Sequence, residues 1–184
     1  MAPGKLWLKH RLLTLVMGLL ATMTACVHAG DDKNVGMTLV FMNFGSEYIG
    51  VKRFDPDGLR GPVPGGLGPS LTEGAHMSFM PGDSKRGMPR FVEVEWMVAD
   101  TRYETAWKNL ANRSDKYSKE WISDVTTVNA NAPQYIRRVD LTPILTPQLI
   151  EQVRQDSQNT QLKLTITFKY DQVEIKAEAY KWRK

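Results

Sequence analysis

The chain has 184 residues, with 24 lysines and arginines, 20 aspartates and glutamates, and a single cysteine. Three of the basic residues and none of the acidic ones precede Cys26, which leaves 21 basic against 20 acidic residues and no run of five like charges. Nucleic acid binding needs a concentrated basic surface and is therefore not favoured. One cysteine cannot form an internal disulfide.

Residues 1–25 are predicted to be an export signal. Lys5, Lys9 and Arg11 precede an apolar run at 12–21. That run is about half the ~20 residues that a membrane-spanning helix needs. A basic start, a short apolar run and small residues after it are typical of a secretory signal peptide.

Two cleavage sites are open for this signal. The segment 23–26 (Met-Thr-Ala-Cys) resembles the bacterial lipobox, which predicts a diacylated Cys26 at the new N-terminus. Two acyl chains hold a protein firmly where one is marginal, and we favour this form. By the bacterial sorting rule, Val27 after the cysteine indicates an outer membrane lipoprotein that faces the periplasm. The alternative is cleavage after Ala29, which would leave a soluble periplasmic protein.

After a linker at 26–36, residues 37–184 are predicted to form a single domain. Its first strand, at 37–43, is apolar on both faces and is expected to be central in a sheet. A second strand is expected at 47–53. A turn at 55–58 then opens the segment 58–69, whose glycines and prolines are unsuited to a central strand. Strands are expected at 75–80 and at 91–98, the latter with one apolar face.

An aromatic helix is expected next. Tyr103, Trp107, Leu110, Tyr117 and Trp121 have helical spacing, and the residues at 112–115 are a candidate interruption. Packing of these aromatic side chains in the core is favoured. The alternative is an exposed stripe that binds a protein.

The C-terminal third is predicted as a strand at 134–141, a helix and a hairpin. Thr146 and Pro147 are a typical helix start, and the helix at 147–155 is expected to bury Leu149, Ile150 and Val153. Strict alternation at 161–169 and 172–180 predicts a hairpin with one dry face. The fold class expected is α+β, a single domain made mainly of antiparallel sheet with one or two helices packed on it.

The residues that carry chemistry are sparse after the signal. His28 and His76 are the histidines of that part, and no nucleophile motif, phosphate-binding loop or zinc spacing is found. The carboxylates at 55 and 57 are interpreted as turn residues, and those at 93 and 95 as the wet face of a strand. We therefore expect no enzyme activity, no metal and no cofactor.

Two regions are candidates for binding a protein partner. The segment 58–69 is a long loop, and such loops often carry function, although a surface crossover without a partner is equally consistent with it. The aromatic helix is the second region. The partner contacts expected from this part of the chain are Arg60, Val63, Leu67, Met80, Trp107 and Trp121.

Three stretches carry a resemblance to a known family: 79–83 together with 91–96, then 135–140, then 162–168 through to Arg183. They resemble small proteobacterial lipoproteins of unknown function that are often encoded beside phospholipase effectors of the type VI secretion system. Cysteines are common near the middle strand of that family, and this chain has none there.

The resemblance implies an envelope-anchored binding protein, namely an immunity protein that neutralises a type VI secretion lipase effector in the periplasm. Its partners would be a secreted phospholipase and, through the lipid, a membrane. The alternative is a structural or assembly lipoprotein of the cell envelope or secretion apparatus. An exported enzyme or small-ligand binder is a third class, which a deep pocket with convergent polar groups would favour.

Overall fold

The computed structural model describes residues 35–69, 71–79 and 88–181, with the backbone alone at 71–73 and 79. The predicted signal peptide, Cys26, Met80 and the chain end at 182–184 lie outside these ranges. The described residues form eight strands and three helices. In chain order they are β1 (Met37–Asn43), β2 (Tyr48–Pro56), β3 (Gly66–Leu67), β4 (Leu71–Phe79), β5 (Phe91–Ala99), α1 (Thr101–Ala111), α2 (Lys119–Asn131), β6 (Gln134–Asp140), α3 (Pro147–Gln155), β7 (Thr160–Lys169) and β8 (Gln172–Lys181).

The strands form two four-stranded sheets. The first sheet has the order β4-β1-β7-β8 and the second has the order β3-β2-β5-β6. Among the described pairs β1 and β7 are parallel, and the others are antiparallel. This confirms the expected α+β class with a mainly antiparallel sheet. It also confirms β1 as a central strand, since six of its seven residues are buried.

One apolar core lies between the two sheets. The ring of Phe41 in β1 meets the ring of Phe54 in β2 edge-on, with 5.3 Å between centroids. Trp96 in β5 and Phe168 in β7 make a similar contact at 5.4 Å. Each side chain of this size stabilises the fold by about 1.5–3 kcal/mol when it is fully buried. The two sheets therefore depend on one another for their apolar faces.

Helix α3 covers the core beside β7 and β8. Thr146 begins it as predicted, because its hydroxyl accepts a hydrogen bond from the Leu149 N–H at 3.2 Å. Val153 is fully buried, whereas Leu149 and Ile150 are half-buried against the core. The predicted bounds of this helix are confirmed, and so is the hairpin of β7 and β8 to within a residue at each outer end.

Helices α1 and α2 form a helical hairpin between the neighbouring strands β5 and β6. The carboxylate of Asp100 and the hydroxyl of Ser118 accept the N-capping hydrogen bonds, at 2.9 and 3.0 Å. Arg113 pairs with Asp115 at 2.5 Å and also with Asp124, which holds the turn between the helices. The expected interruption of the aromatic helix is thus a complete turn, at 112–118.

The hairpin contributes little to the core, and the expected core packing of the aromatic helix is wrong, because none of its four tyrosines and tryptophans belongs to the apolar core. Trp107 and Tyr117 are exposed, while Tyr103 and Trp121 are half-buried. The reason is that α1 and α2 pack mainly on each other and make fewer contacts with the second sheet. None of the described helices is long and apolar enough to cross a membrane.

Candidate functional site

A recess lies between α1 and the outer face of the second sheet. We call it the aromatic groove, and its volume is about 590 Å³. Strand residues form one wall and helix residues the other. Its lining consists of Tyr48, Met97, Ala99, Tyr103, Glu104, Trp107 and Lys108.

The strand wall depends on two glycines. Gly50 and Gly66 are paired across β2 and β3. A Cβ on Gly50 would lie 2.8 Å from the Cγ of Met97, and a Cβ on Gly66 would lie 1.5 Å from the Oη of Tyr48. The absence of both side chains therefore leaves the space in which Tyr48 and Met97 lie. Gly66, which belongs to the predicted loop at 58–69, thus shapes the groove because it lacks a side chain.

The helix wall depends on a four-residue spacing. Tyr103 and Trp107 lie one turn apart on α1, which places them on one face. Their rings are parallel within 3°, with centroids 6.3 Å apart. The Tyr103 hydroxyl donates a hydrogen bond to the Asn129 Oδ1 on α2 at 2.9 Å. The second helix thus fixes the orientation of the wall formed by the first.

The groove is largely apolar and remains open to solvent. Tyr48 is 44% exposed and Trp107 is 39% exposed. Burial, with a smaller effect from the neighbouring Tyr48, raises the pKa of Tyr103, so its phenol holds its proton more firmly than an ordinary tyrosine does. Glu104 and Lys108 bring one charge of each sign to the lining. Such a surface is suited to holding an apolar or aromatic group of a partner, with polar contacts at its rim.

Of the residues predicted to contact a partner, Trp107 lies in the groove and Trp121 does not. The Trp121 indole N–H donates to the Leu110 carbonyl at 3.0 Å. Its ring packs against the exposed ring of Tyr117, with 5.4 Å between centroids. Trp121 therefore closes the end of α1 beside the turn between the helices.

The partner contacts predicted in the segment 58–69 also differ in their exposure to solvent. Arg60 is exposed, and Val63 is half-buried against the core. Leu67 is fully buried and pairs with Ile49 in the second sheet. Its side chain points to the core because it lies on the opposite face from Gly66, so Leu67 is a core residue and not a surface contact. Met80 and the predicted lipidation site Cys26 lie outside the described residues.

A cluster of charged side chains also lies on the outer face of the second sheet. Arg53 lies 3.6 Å from both Asp55 and Glu93 and 3.5 Å from Glu95. Arg138 adds a contact to Glu93 at 3.8 Å. The carboxylates at 93 and 95, predicted to be wet, are half-buried and share one guanidinium.

Within the described ranges, no three His, Cys, Asp or Glu side chains are placed to hold a metal ion together. The fold and the groove define a small α+β domain of two sheets that carries an open aromatic recess. No protein-family model, curated protein or solved structure matches the chain.

The groove residues that the sequence did not predict include Tyr48 and Met97. Tyr48 begins a strand and Met97 lies within one, and both have the apolar character that strands need anyway. Their function as a wall depends on the pairing of Gly50 with Gly66, which joins residues from distant parts of the chain. A signal was present in the alternation of β2, where Tyr48 falls on the face opposite to the buried Ile49.

Proposed function

We propose that this chain is an envelope-anchored binding protein that contacts its protein partner through the aromatic groove. More specifically, we propose an immunity protein that neutralises a type VI secretion lipase effector in the periplasm. The observation that carries the binding role is the groove itself, with Tyr48 and Trp107 both partly open to solvent in a preformed recess. The nature of the partner rests on the family resemblance of the sequence.

The composition of the groove supports a protein partner. Tyrosine, tryptophan and methionine are enriched where proteins bind one another, and a few such residues supply most of the binding free energy. A recess of about 590 Å³ has room for a large apolar side chain of the partner. A specific interface buries about 800 Å² on each side, so the groove would be the anchor of a larger contact surface.

The lipid on Cys26 would supply the location. A lipase delivered to the periplasm acts at a membrane surface, and an inhibitor held at such a surface meets it at a high local concentration. An inhibitor needs complementary shape and buried anchors, and it needs no catalytic group of its own. The proposal therefore agrees with the expectation that this chain is not an enzyme.

The test is direct binding and inhibition. The mature protein should bind the effector encoded beside it and abolish its lipase activity. Tyr48→Ala and Trp107→Ala should each weaken binding by about 30-fold, since truncation of a central aromatic anchor costs about 2 kcal/mol. Tyr180→Ala is the matched control, because Tyr180 is 38% exposed on β8 and lies outside the groove lining.

The outcomes separate the two parts of the proposal. Tight binding and inhibition that survive both groove substitutions would keep the immunity role and remove the groove as its contact. Absence of both binding and inhibition in the unaltered protein would remove the immunity role. Equal losses in the groove variants and in Tyr180→Ala would also remove the groove, because the effect would then not be specific to it.

A further inference from the structure

Strand β6 lies at one end of the second sheet. On one side it pairs with β5, and among the described residues its other side pairs with no strand. The Val98 N–H donates to the Pro133 carbonyl at 2.9 Å, and the Leu141 N–H donates to the Arg90 carbonyl at 2.8 Å. These two bonds show that the odd-numbered residues of β6 bond to β5. In an antiparallel ladder the alternate residues direct both backbone groups to the other side, so those of Gln134, Ile136 and Arg138 face the edge.

The side chain at the centre of this edge is exposed. Ile136 is 58% exposed, the highest value among the exposed aliphatic side chains of the described residues. Arg138 is held back over the Phe91 ring, with 3.6 Å between the guanidinium carbon and the ring centroid. Arg137 donates to the Ile136 carbonyl at 3.0 Å and also contacts the Asp171 carbonyl at 3.5 Å. A strand edge with unpaired backbone groups is a template for another strand, and here its central side chain is an exposed isoleucine.

We propose that β6 pairs with β6 of a second copy of this chain, antiparallel and two-fold symmetric about Ile136. Because the free backbone groups belong to even-numbered residues, a symmetric pair must join even to even. Three such registers overlap by five residues or more of β6, and they are centred on Ile136, Arg137 or Arg138. The last two place an arginine directly opposite its own copy, and like charges at that position are destabilising.

The register centred on Ile136 is complementary on both faces. Ile136 meets its own copy, and Gln134 lies opposite Arg138 of the second chain. On the other face Tyr135 lies opposite Arg137, an aromatic and cationic pair that attracts. Pairing releases the bond from Arg137 to the Ile136 carbonyl and replaces it with ladder hydrogen bonds. The two copies would then share one continuous sheet.

The proposal is tested by disulfide trapping with Ile136→Cys. If Cys26 is acylated or removed with the signal, the engineered thiol is the only free one in the processed chain. Residues directly opposite in a bonded antiparallel pair have Cα atoms about 5.5 Å apart, which suits a disulfide. Mild oxidation should give a strong dimer band on a non-reducing gel. Ile122→Cys is the matched control, because Ile122 is 52% exposed on α2 and away from the edge.

Light scattering on the purified mature protein gives a second measurement. The unaltered protein should have the mass of a dimer. Ile136→Lys should have the mass of a monomer with an unchanged circular dichroism spectrum, since the substitution is on the surface. A monomer mass for the unaltered protein, or equal trapping of Ile136→Cys and Ile122→Cys, would overturn the proposal. The proposal would also be overturned if Ile136→Lys abolished the binding of a different protein while the variant kept the mass of the unaltered protein. These outcomes do not depend on lipase inhibition.

Discussion

The indole N–H of Trp96 donates a hydrogen bond to the backbone carbonyl of Tyr170 at 2.8 Å. Trp96 lies in the middle of the second sheet, and Tyr170 lies in the turn that joins β7 to β8 of the first sheet. The ring of Tyr135 lies beside both residues, with centroids 5.6 Å from Trp96 and 6.0 Å from Tyr170. One fully buried side chain thus links the core to a turn by a polar contact as well as by packing.

Trp96→Phe should lower the free energy of unfolding by about 2–4 kcal/mol, because it leaves the Tyr170 carbonyl without this donor and opens a small cavity. Trp121→Phe is the matched comparison. Its indole also donates to a backbone carbonyl, but it is half-buried, so that water can replace it and the loss should be about 0.5–1.5 kcal/mol. Urea denaturation of both variants measures the difference, and equal losses would contradict the expectation.

Asn43 joins three segments at the end of β1. Its fully buried amide donates to the carbonyls of Glu47 at 2.8 Å and Gly68 at 2.9 Å, while its oxygen accepts from the Gly45 N–H at 2.9 Å. Asn43→Ala should cost about 1–3 kcal/mol for each backbone group left buried without a partner. Asn159→Ala, at an exposed asparagine, should change the unfolding free energy little in the same denaturation experiment. A small loss for Asn43→Ala would mean that water reaches the site.

Gly66→Ala should alter the groove without unfolding the domain. The added methyl would meet the outer end of the Tyr48 ring, which is partly exposed. Gly68→Ala is the control, because a Cβ there meets nothing within 4 Å. If the groove binds the partner, Gly66→Ala should reduce the affinity in calorimetric titration and Gly68→Ala should not. Both variants should keep their denaturation midpoints near that of the unaltered protein.

The N-cap of α1 makes a pH-dependent contribution to the free energy of unfolding. The hydrogen bond from the Tyr103 N–H, followed by the contacts with Arg102, lowers the pKa of Asp100 below its ordinary value of 3.8. A lowered pKa means that the unfolded chain binds more protons in that window, so stability rises with pH there. The contribution is complete above the ordinary value and is lost as the pH falls through the lowered one.

Asp100→Asn tests this term, because asparagine keeps the cap and removes the charge. The stability difference between the two proteins should be present at neutral pH and should shrink as the pH is lowered below ~4. Denaturation midpoints measured as a function of pH give the comparison. A difference that is constant over this range would show that the charge of Asp100 is not its source.

Local patterns predicted the elements well where one residue type alternates with another. The hairpin of β7 and β8, the strand β5 and the helix α3 each bury a face that the sequence marks by spacing alone. The turn predicted at 55–58 begins two residues later than expected, because Asp55 and Pro56 belong to β2 and pair with β5. Asp57 and Gly58 have the positive φ values of 48° and 74° that such a turn uses.

The placement of the aromatic residues could not be read in the same way. Helical spacing shows that Tyr103 and Trp107 share a face, but it does not say what covers that face. Here no described element covers that face, since α1 packs more on α2 than on the sheet. The order of strands in each sheet, including the parallel pairing of β1 with β7, likewise depends on contacts between distant segments.

The helical hairpin follows the end of β5 and is followed by the start of β6, and these two strand ends are neighbours in the second sheet. The Val98 N–H bonds to the Pro133 carbonyl, so the two ends of the excursion are held together by the ladder of β5 and β6. A short turn across the same gap would close the ladder without disturbing the shared core. The helix α1, which forms one wall of the groove, can therefore change in length or sequence while the two sheets keep their structure. Proteins that share these two sheets could in this way bind different partners while keeping the same fold.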